Sequence, residues 1–263
     1  MTFNDFHFRS DVLGLQVTAW VLLPDANVMA QQGGKPLPTL YLLHGLSDDH
    51  TMWMRNTRIE QYANQYRMAV VMPAVARSFY TDMASGAGKY FTFVSEELPR
   101  VMETYFPLSK NREDRFAAGL SMGGYGAMKL GLRLPHRYGA IASLSGAVEM
   151  ERDYHRPRGG GENEFWHELN GIFGSEEQLL AGDNNLTLVA DKLAAKDAPR
   201  IYVACGDKDF LFDYNQHFVK TFGEKFSIHY EVTPGAAHTW DYWDSQIQKV
   251  LQWLEVPKAE RGW

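Results

Sequence analysis

Cysteine is nearly absent. Cys205 is the single one in 263 residues, so no intramolecular disulfide can brace the fold, and a disulfide-stapled scaffold is excluded. Basic charge is not in excess either. The chain has 26 Lys and Arg against 32 Asp and Glu, a formal net charge of −6, which argues against a nucleic-acid partner. Long hydrophobic runs are missing too: Val17 to Leu23 and Met68 to Ala76 fall short of the roughly twenty residues that cross a bilayer, and Pro73 interrupts the second. No membrane association is expected. Asp5, Arg9 and Asp11 stand where a secretory leader would be apolar, so no export signal is read. The expected setting is cytoplasmic, with a reduced thiol. No repeat, low-complexity tract, zinc-like spacing or phosphate loop with its lysine occurs, so no metal site is expected. What remains is 45% hydrophobic and 22% charged, the composition of an ordinary globular chain long enough to build one self-sufficient core.

Strand-like and helix-like segments alternate. Phe6 to Arg9 and Gln16 to Leu22, separated by Gly14, read as an opening antiparallel pair. Strands follow at Pro38 to Leu43, Arg67 to Met72, Arg115 to Leu120, Ala140 to Leu144, Arg200 to Cys205 and Ser227 to Thr233. Helices are predicted over 51 to 66, Tyr90 to Phe106 despite Pro99, Gly123 to Leu134, 212 to 225 and 240 to 254. Such alternation predicts an α/β fold with a mainly parallel sheet covered on both faces, and ligands then bind beyond the carboxyl ends of the strands. Residues 147 to 197, with Arg156-Pro-Arg-Gly-Gly-Gly161, break the pattern and are read as an insertion within a single domain. That insertion forms either a partial lid or a surface excursion, and it is the expected place for substrate choice.

Gly119-Leu-Ser-Met-Gly123 fits G-x-S-x-G, with a predicted strand before it and a helix after it. A sharp strand-to-helix turn strains the serine backbone and presents its hydroxyl above the sheet, and small residues on either side let neighbouring elements pass closely. Serine is a weak nucleophile at neutral pH, so Ser121 needs a base and a group to orient that base. Of the downstream histidines, 136, 155, 167, 217 and 229 fall in helix ends, the insertion, a helix or a strand. His238 follows the last strand in the loop before the final helix, where a base in the order serine, acid, histidine belongs. Asp209, past Gly206, is the expected acid; Asp207, suited to capping a turn, stands as the alternative. The amides of Leu46 and Met122 are the expected oxyanion donors, with His44 holding the first loop and Gly45 letting it bend. Trp53, Phe79, Tyr80, Phe210 and Trp240 are candidate pocket aromatics. Glu96 and Glu97, adjacent on a helix, point in different directions and read as structural. Cys205 reads as a packing residue, with no histidine placed to activate it.

Taken together, several segments resemble the esterase D and S-formylglutathione hydrolase group of α/β-hydrolases, and within it the tributyrin esterase branch. They are Leu42-Leu-His-Gly-Leu46, Arg77-Ser-Phe-Tyr-Thr-Asp82, Tyr90-Phe-Thr-Phe-Val-Ser-Glu-Glu-Leu-Pro99, Gly119-Leu-Ser-Met-Gly-Gly124, Cys205-Gly-Asp-Lys-Asp-Phe-Leu211 and Gly235-Ala-Ala-His-Thr-Trp240. The resemblance implies a Ser121, Asp209 and His238 triad, the Leu46 and Met122 oxyanion hole, short-chain acyl ester substrates, no cofactor and frequent homo-oligomers. One departure bears on substrate. S-formylglutathione hydrolases carry a Cys-Thr pair shortly after His-Gly-Leu, whereas Ser47-Asp48-Asp49 stands here, which points away from a thioester. Acetyl-sugar and feruloyl esters are alternative substrates, because the fold does not fix the substrate. A non-catalytic ligand-binding relative is the alternative of a different class.

Overall fold

The computed structural model describes residues 1–155 and 164–260, so the glycine-rich stretch 156–161 lies outside the described residues. The strands are β1 (Thr2–Ser10), β2 (Leu15–Leu23), β3 (Thr39–Leu43), β4 (Ala69–Pro73), β5 (Arg115–Leu120), β6 (Ala140–Leu144), β7 (Arg200–Gly206) and β8 (Ile228–Thr233). They form one sheet in the order β1-β2-β4-β3-β5-β6-β7-β8. β1 and β2 pair antiparallel, as does β2 with β4, and every later pairing is parallel. This is the mainly parallel sheet that the alternation predicts, and the α/β-hydrolase arrangement that the resemblance implies.

The helices are α1 (Ala26–Gln31), α2 (Met52–Asn56), α3 (Ile59–Ala63), α4 (Tyr90–Thr92), α5 (Leu98–Tyr105), α6 (Met122–Arg133), α7 (Glu164–Phe173), α8 (Glu176–Ala181), α9 (Leu186–Lys192), α10 (Phe212–Phe222) and α11 (Trp240–Trp253). The central strands are buried on both faces, and their alternation divides the core in two. Tyr41 and Leu43 of β3 face a cluster with Phe93, Tyr125, Met128 and Phe218, while Leu40 and Leu42 face Trp53, Ile59, Trp243 and Ile247. On α11 the buried stripe Trp243, Ile247, Val250 and Leu251 follows helical spacing, and each such side chain contributes about 1.5–3 kcal/mol by leaving water.

Two helices differ in detail from the sequence expectation. The single helix over 51 to 66 is split: Thr57 is extended, at φ −135° and ψ 172°, and its hydroxyl accepts the Ile59 amide while Asp244 accepts the Arg58 amide. The helix over Tyr90 to Phe106 is present, but Phe93–Glu97 forms a π turn just before Pro99. A proline ring crowds the carbonyl four residues back, and a widened turn relieves that clash. The same turn carries Glu97, whose buried carboxylate accepts the Ser10 hydroxyl and the Asp11 amide, pinning the β1–β2 turn. Glu97 is therefore structural, and Glu96 is exposed.

Within 147–197, α7 docks against the loop after β4. Ala84 and Ser85 amides donate to Ile172 and Gly171, and Phe173 packs on Phe79 and Tyr125. Lys129 of α6, fully buried, donates to Thr81 and to Asn184, joining the two segments. Among the described residues, no helix is long and apolar enough to cross a membrane.

Candidate active site

β5 runs beneath the site and ends at Leu120; Ser121 then takes φ +52° and ψ −116° before α6 begins. That backbone suits glycine better than any L residue, and holding serine there costs on the order of 1–3 kcal/mol. Its neighbours hold it in place. The Ser121 amide donates to the Leu144 carbonyl at 2.9 Å, and its carbonyl accepts the Tyr125 and Ala147 amides. The turn needs Gly123, because a Cβ there would collide with the Leu43 and His44 carbonyls at the end of β3.

His238 sits in the loop between β8 and α11. Its Nδ1 lies 2.8 and 3.0 Å from the two carboxylate oxygens of Asp209, whose side chain is fully buried and also accepts the Leu211 amide. This bidentate hold assigns the Nδ1 proton to the carboxylate side and leaves Nε2 as the proton acceptor. The imidazole is 19% exposed, with the Phe210 ring 4.5 Å away on one side and the Trp243 ring 4.8 Å away and edge-on. Asp207 does something else: its carboxylate accepts the Gly235 amide and shapes the histidine loop.

The third element is the loop after β3. His44 is buried, its Nδ1 donates to the Gly45 carbonyl at 2.8 Å, and its Nε2 accepts the Val75 amide at 3.1 Å. The bond accepted at Nε2 requires the neutral ring, whereas the Nδ1 bond to Gly45 would survive protonation; burial outweighs it and lowers the pKa to about 4. In the unfolded chain the ring would protonate near pH 6.5, so from there down to about pH 4 only the unfolded state gains the proton, and stability falls. The expected loss is about 3 kcal/mol between pH 7 and pH 4. Urea unfolding of wild type and His44→Gln at both pH values checks this. The variant should lose less, and equal losses would remove His44 as the source.

These three elements meet around a cavity of about 390 Å³ lined by Gly45, Leu46, Ser47, Asp48, Leu120, Ser121, Phe210, His238, Thr239, Trp240 and Trp243. Ser121, His238 and Leu46 are thus brought together, and Met122 is the first helical residue after the serine. Of the candidate aromatics, Phe210 and Trp240 line the cavity. Trp53, Phe79 and Tyr80 do not, because their roles lie in the core. Trp53 Nε1 donates to the Leu43 carbonyl and the Tyr80 hydroxyl to the His44 carbonyl, so these two buried rings brace the loop from behind, while Phe79 packs on Phe173.

Trp243 and Asp48 are lining residues that sequence reasoning missed. Trp243 follows Trp240 by three residues on α11 and so shares its face, a signal that was readable. Asp48 is half-buried, and its Oδ2 accepts the Gly45 amide at 3.1 Å. Burial raises its pKa above the usual carboxylate value, opposed by that hydrogen bond and by the nearby His238. A side chain at Gly45 would force its neighbours to shift, since a Cβ would stand 2.7 Å from Leu120 Cδ1 and 2.8 Å from Asp48 Oδ2. Cys205 is buried in β7, with its thiol pushed well up by burial. No described residue of 147–197 is among those lining the cavity. Among the described residues, no group of three or more His, Cys, Asp or Glu could hold a metal ion.

A strained serine at a strand-to-helix turn, with a carboxylate-held histidine in the same cavity, is the layout of a hydrolase, and comparison with known proteins agrees. The family model described as "Putative esterase" matches residues 10–254. The acetyl esterase of Caldicellulosiruptor saccharolyticus is 30% identical over 97% of this chain and 98% of its own. The Staphylococcus aureus fluorophosphonate-binding serine hydrolase FphF is 32% identical and superposes with a TM-score of 0.85 over 96% of this chain and 98% of that one. The S-formylglutathione hydrolase FrmB of the same organism is also 32% identical, with a TM-score of 0.81 over the same shares. The chain belongs to the esterase family, and it is a carboxylic ester hydrolase.

Proposed function

We propose that this protein is a serine carboxylesterase for short-chain acyl esters, of the tributyrin esterase type, working through an acyl-enzyme. His238 takes the Ser121 proton, the hydroxyl oxygen attacks the ester carbonyl, and the amides of Leu46 and Met122 hold the developing oxyanion. Asp209 keeps the imidazole in the tautomer that accepts at Nε2 and stabilises its charged form. His238 returns the proton to the leaving alcohol. Water, deprotonated in turn by His238, then attacks the acyl carbon and releases the acid and Ser121.

The observation that carries this reading is the Asp209 hold on His238 Nδ1 in a cavity that also contains Ser121. Acyl length is read from size: about 390 Å³ stands near the small end of the roughly 300–1,000 Å³ range of ligand pockets. The acetyl esterase relative supports a short acyl group, and acetylated sugars stay an alternative substrate because the fold does not fix it.

A 4-nitrophenyl ester series from acetate to octanoate, run beside S-formylglutathione and an acetylated sugar, tests the proposal. The kcat/KM should peak between acetate and butyrate. A maximum at octanoate, or turnover of S-formylglutathione alone, would overturn the short-chain carboxylester reading. A fluorophosphonate probe should label wild type but neither Ser121→Ala nor His238→Ala. A folded wild type that resists the probe would return the protein to the class of non-catalytic binders.

A further inference from the structure

Resting on the esterase reading, we infer that Asp48 is a charge filter: its carboxylate makes the cavity reject esters bearing a negative charge near the scissile bond and accept neutral or cationic ones.

Asp48 stands within the cavity wall, three residues from Gly45, and is held there by the Gly45 amide. The bond fixes the carboxylate on the same short loop as the Leu46 amide, so the charge is immobile relative to the reacting carbonyl. Among the described lining residues, Asp48 and His238 are the titratable side chains, and none is Lys or Arg. Asp49, exposed on the same loop, adds a second negative charge, and its carboxylate is turned to the Thr51 amide and hydroxyl. Leu46, Leu120, Phe210, Trp240 and Trp243 supply apolar or aromatic surface that suits an uncharged acyl chain or the face of a sugar.

A fixed negative charge in a partly desolvated cavity repels an incoming carboxylate. Two like charges about 6 Å apart, at an effective dielectric between protein surface and water, discriminate by about tenfold. The substrate class favoured is therefore neutral acyl esters of uncharged or cationic alcohols. Glutathione conjugates, whose two carboxylates outnumber their one ammonium, are disfavoured.

The test uses two esters matched in length and differing in charge: the 4-nitrophenyl ester of monomethyl succinate and 4-nitrophenyl hemisuccinate. Wild type should favour the neutral ester by about tenfold or more in kcat/KM, and the preference should shrink as ionic strength rises from about 0.02 to 0.5 M. Asp48→Asn, which keeps an oxygen for the Gly45 amide, should raise the anion-to-neutral ratio about tenfold, and Asp48→Glu should restore discrimination. A ratio in Asp48→Asn within about threefold of wild type overturns the filter, as does a wild-type preference unmoved by salt. Should Asp48→Asn fail to fold, the salt dependence of the wild type decides alone. If wild type turns over neither ester, the esterase reading falls first, and the neutral ester reports that separately.

Discussion

Ser121→Ala lowers kcat by about a millionfold, the scale seen when a triad nucleophile is removed. On the proposed mechanism the Ser121 hydroxyl forms the acyl-enzyme. Ser47 and Thr239 also line the cavity, but Ser121 is the one of these three hydroxyl residues carried on the strained strand-to-helix turn, and His238 cannot substitute for it because its proposed role is to move the proton. What survives is the oxyanion hole and substrate binding, together about a thousand- to ten-thousandfold over water. The fold should not suffer, since the Ser121 side chain caps no amide of α6, and every bond that holds the turn is made by its backbone. Thermal melting should therefore match wild type while steady-state turnover of 4-nitrophenyl acetate collapses. Turnover within about tenfold of wild type would remove Ser121 from the mechanism.

Asp209→Asn has the next largest effect, a fall in kcat of about ten-thousandfold with little change in KM. An asparagine amide placed against Nδ1 donates a hydrogen bond there and moves the ring proton to Nε2. The ring then meets Ser121 with a donor in place of an acceptor, and the buried positive charge that forms during attack loses its counter-ion. The control is Asp207→Asn. That carboxylate accepts the Gly235 amide, and replacing it should cost less than about tenfold, through loosening of the histidine loop alone. Stopped-flow or steady-state rates of the two variants separate the roles, and the reverse order of effects would make Asp207 the acid.

The inner strands were legible as short apolar runs closed by proline, glycine or a polar turn: Leu40 to Leu43 ends at His44-Gly45, and Val70 to Met72 ends at Pro73. The first strand runs over Thr2–Ser10, longer than the Phe6 to Arg9 expected, because Asn4 and Asp5 break its apolar pattern. The serine turn was legible because its glycines are forced by close approach. Other features depend on residues far apart in the chain. The break at Thr57 is set in part by Asp244, which accepts the Arg58 amide and the Tyr62 hydroxyl from across the core face. Trp53 and Tyr80 looked like pocket aromatics because aromatic content cannot say which way a ring faces. Their polar tips are spent on the Leu43 and His44 carbonyls, a tertiary fact. Asp48 was visible only as a departure from a familiar pattern. Its place in the wall depends on a backward reach to Gly45 that residue type alone does not announce.

The strained backbone at Ser121 sets chemistry against stability at a single position. At φ +52° and ψ −116° the turn would be thermodynamically better served by glycine, which pays no steric cost there but carries no hydroxyl. Selection on folding alone would drift this site toward glycine, and only demand for turnover opposes it. A copy of this protein released from that demand would therefore grow more stable at the very residue that ended its catalysis.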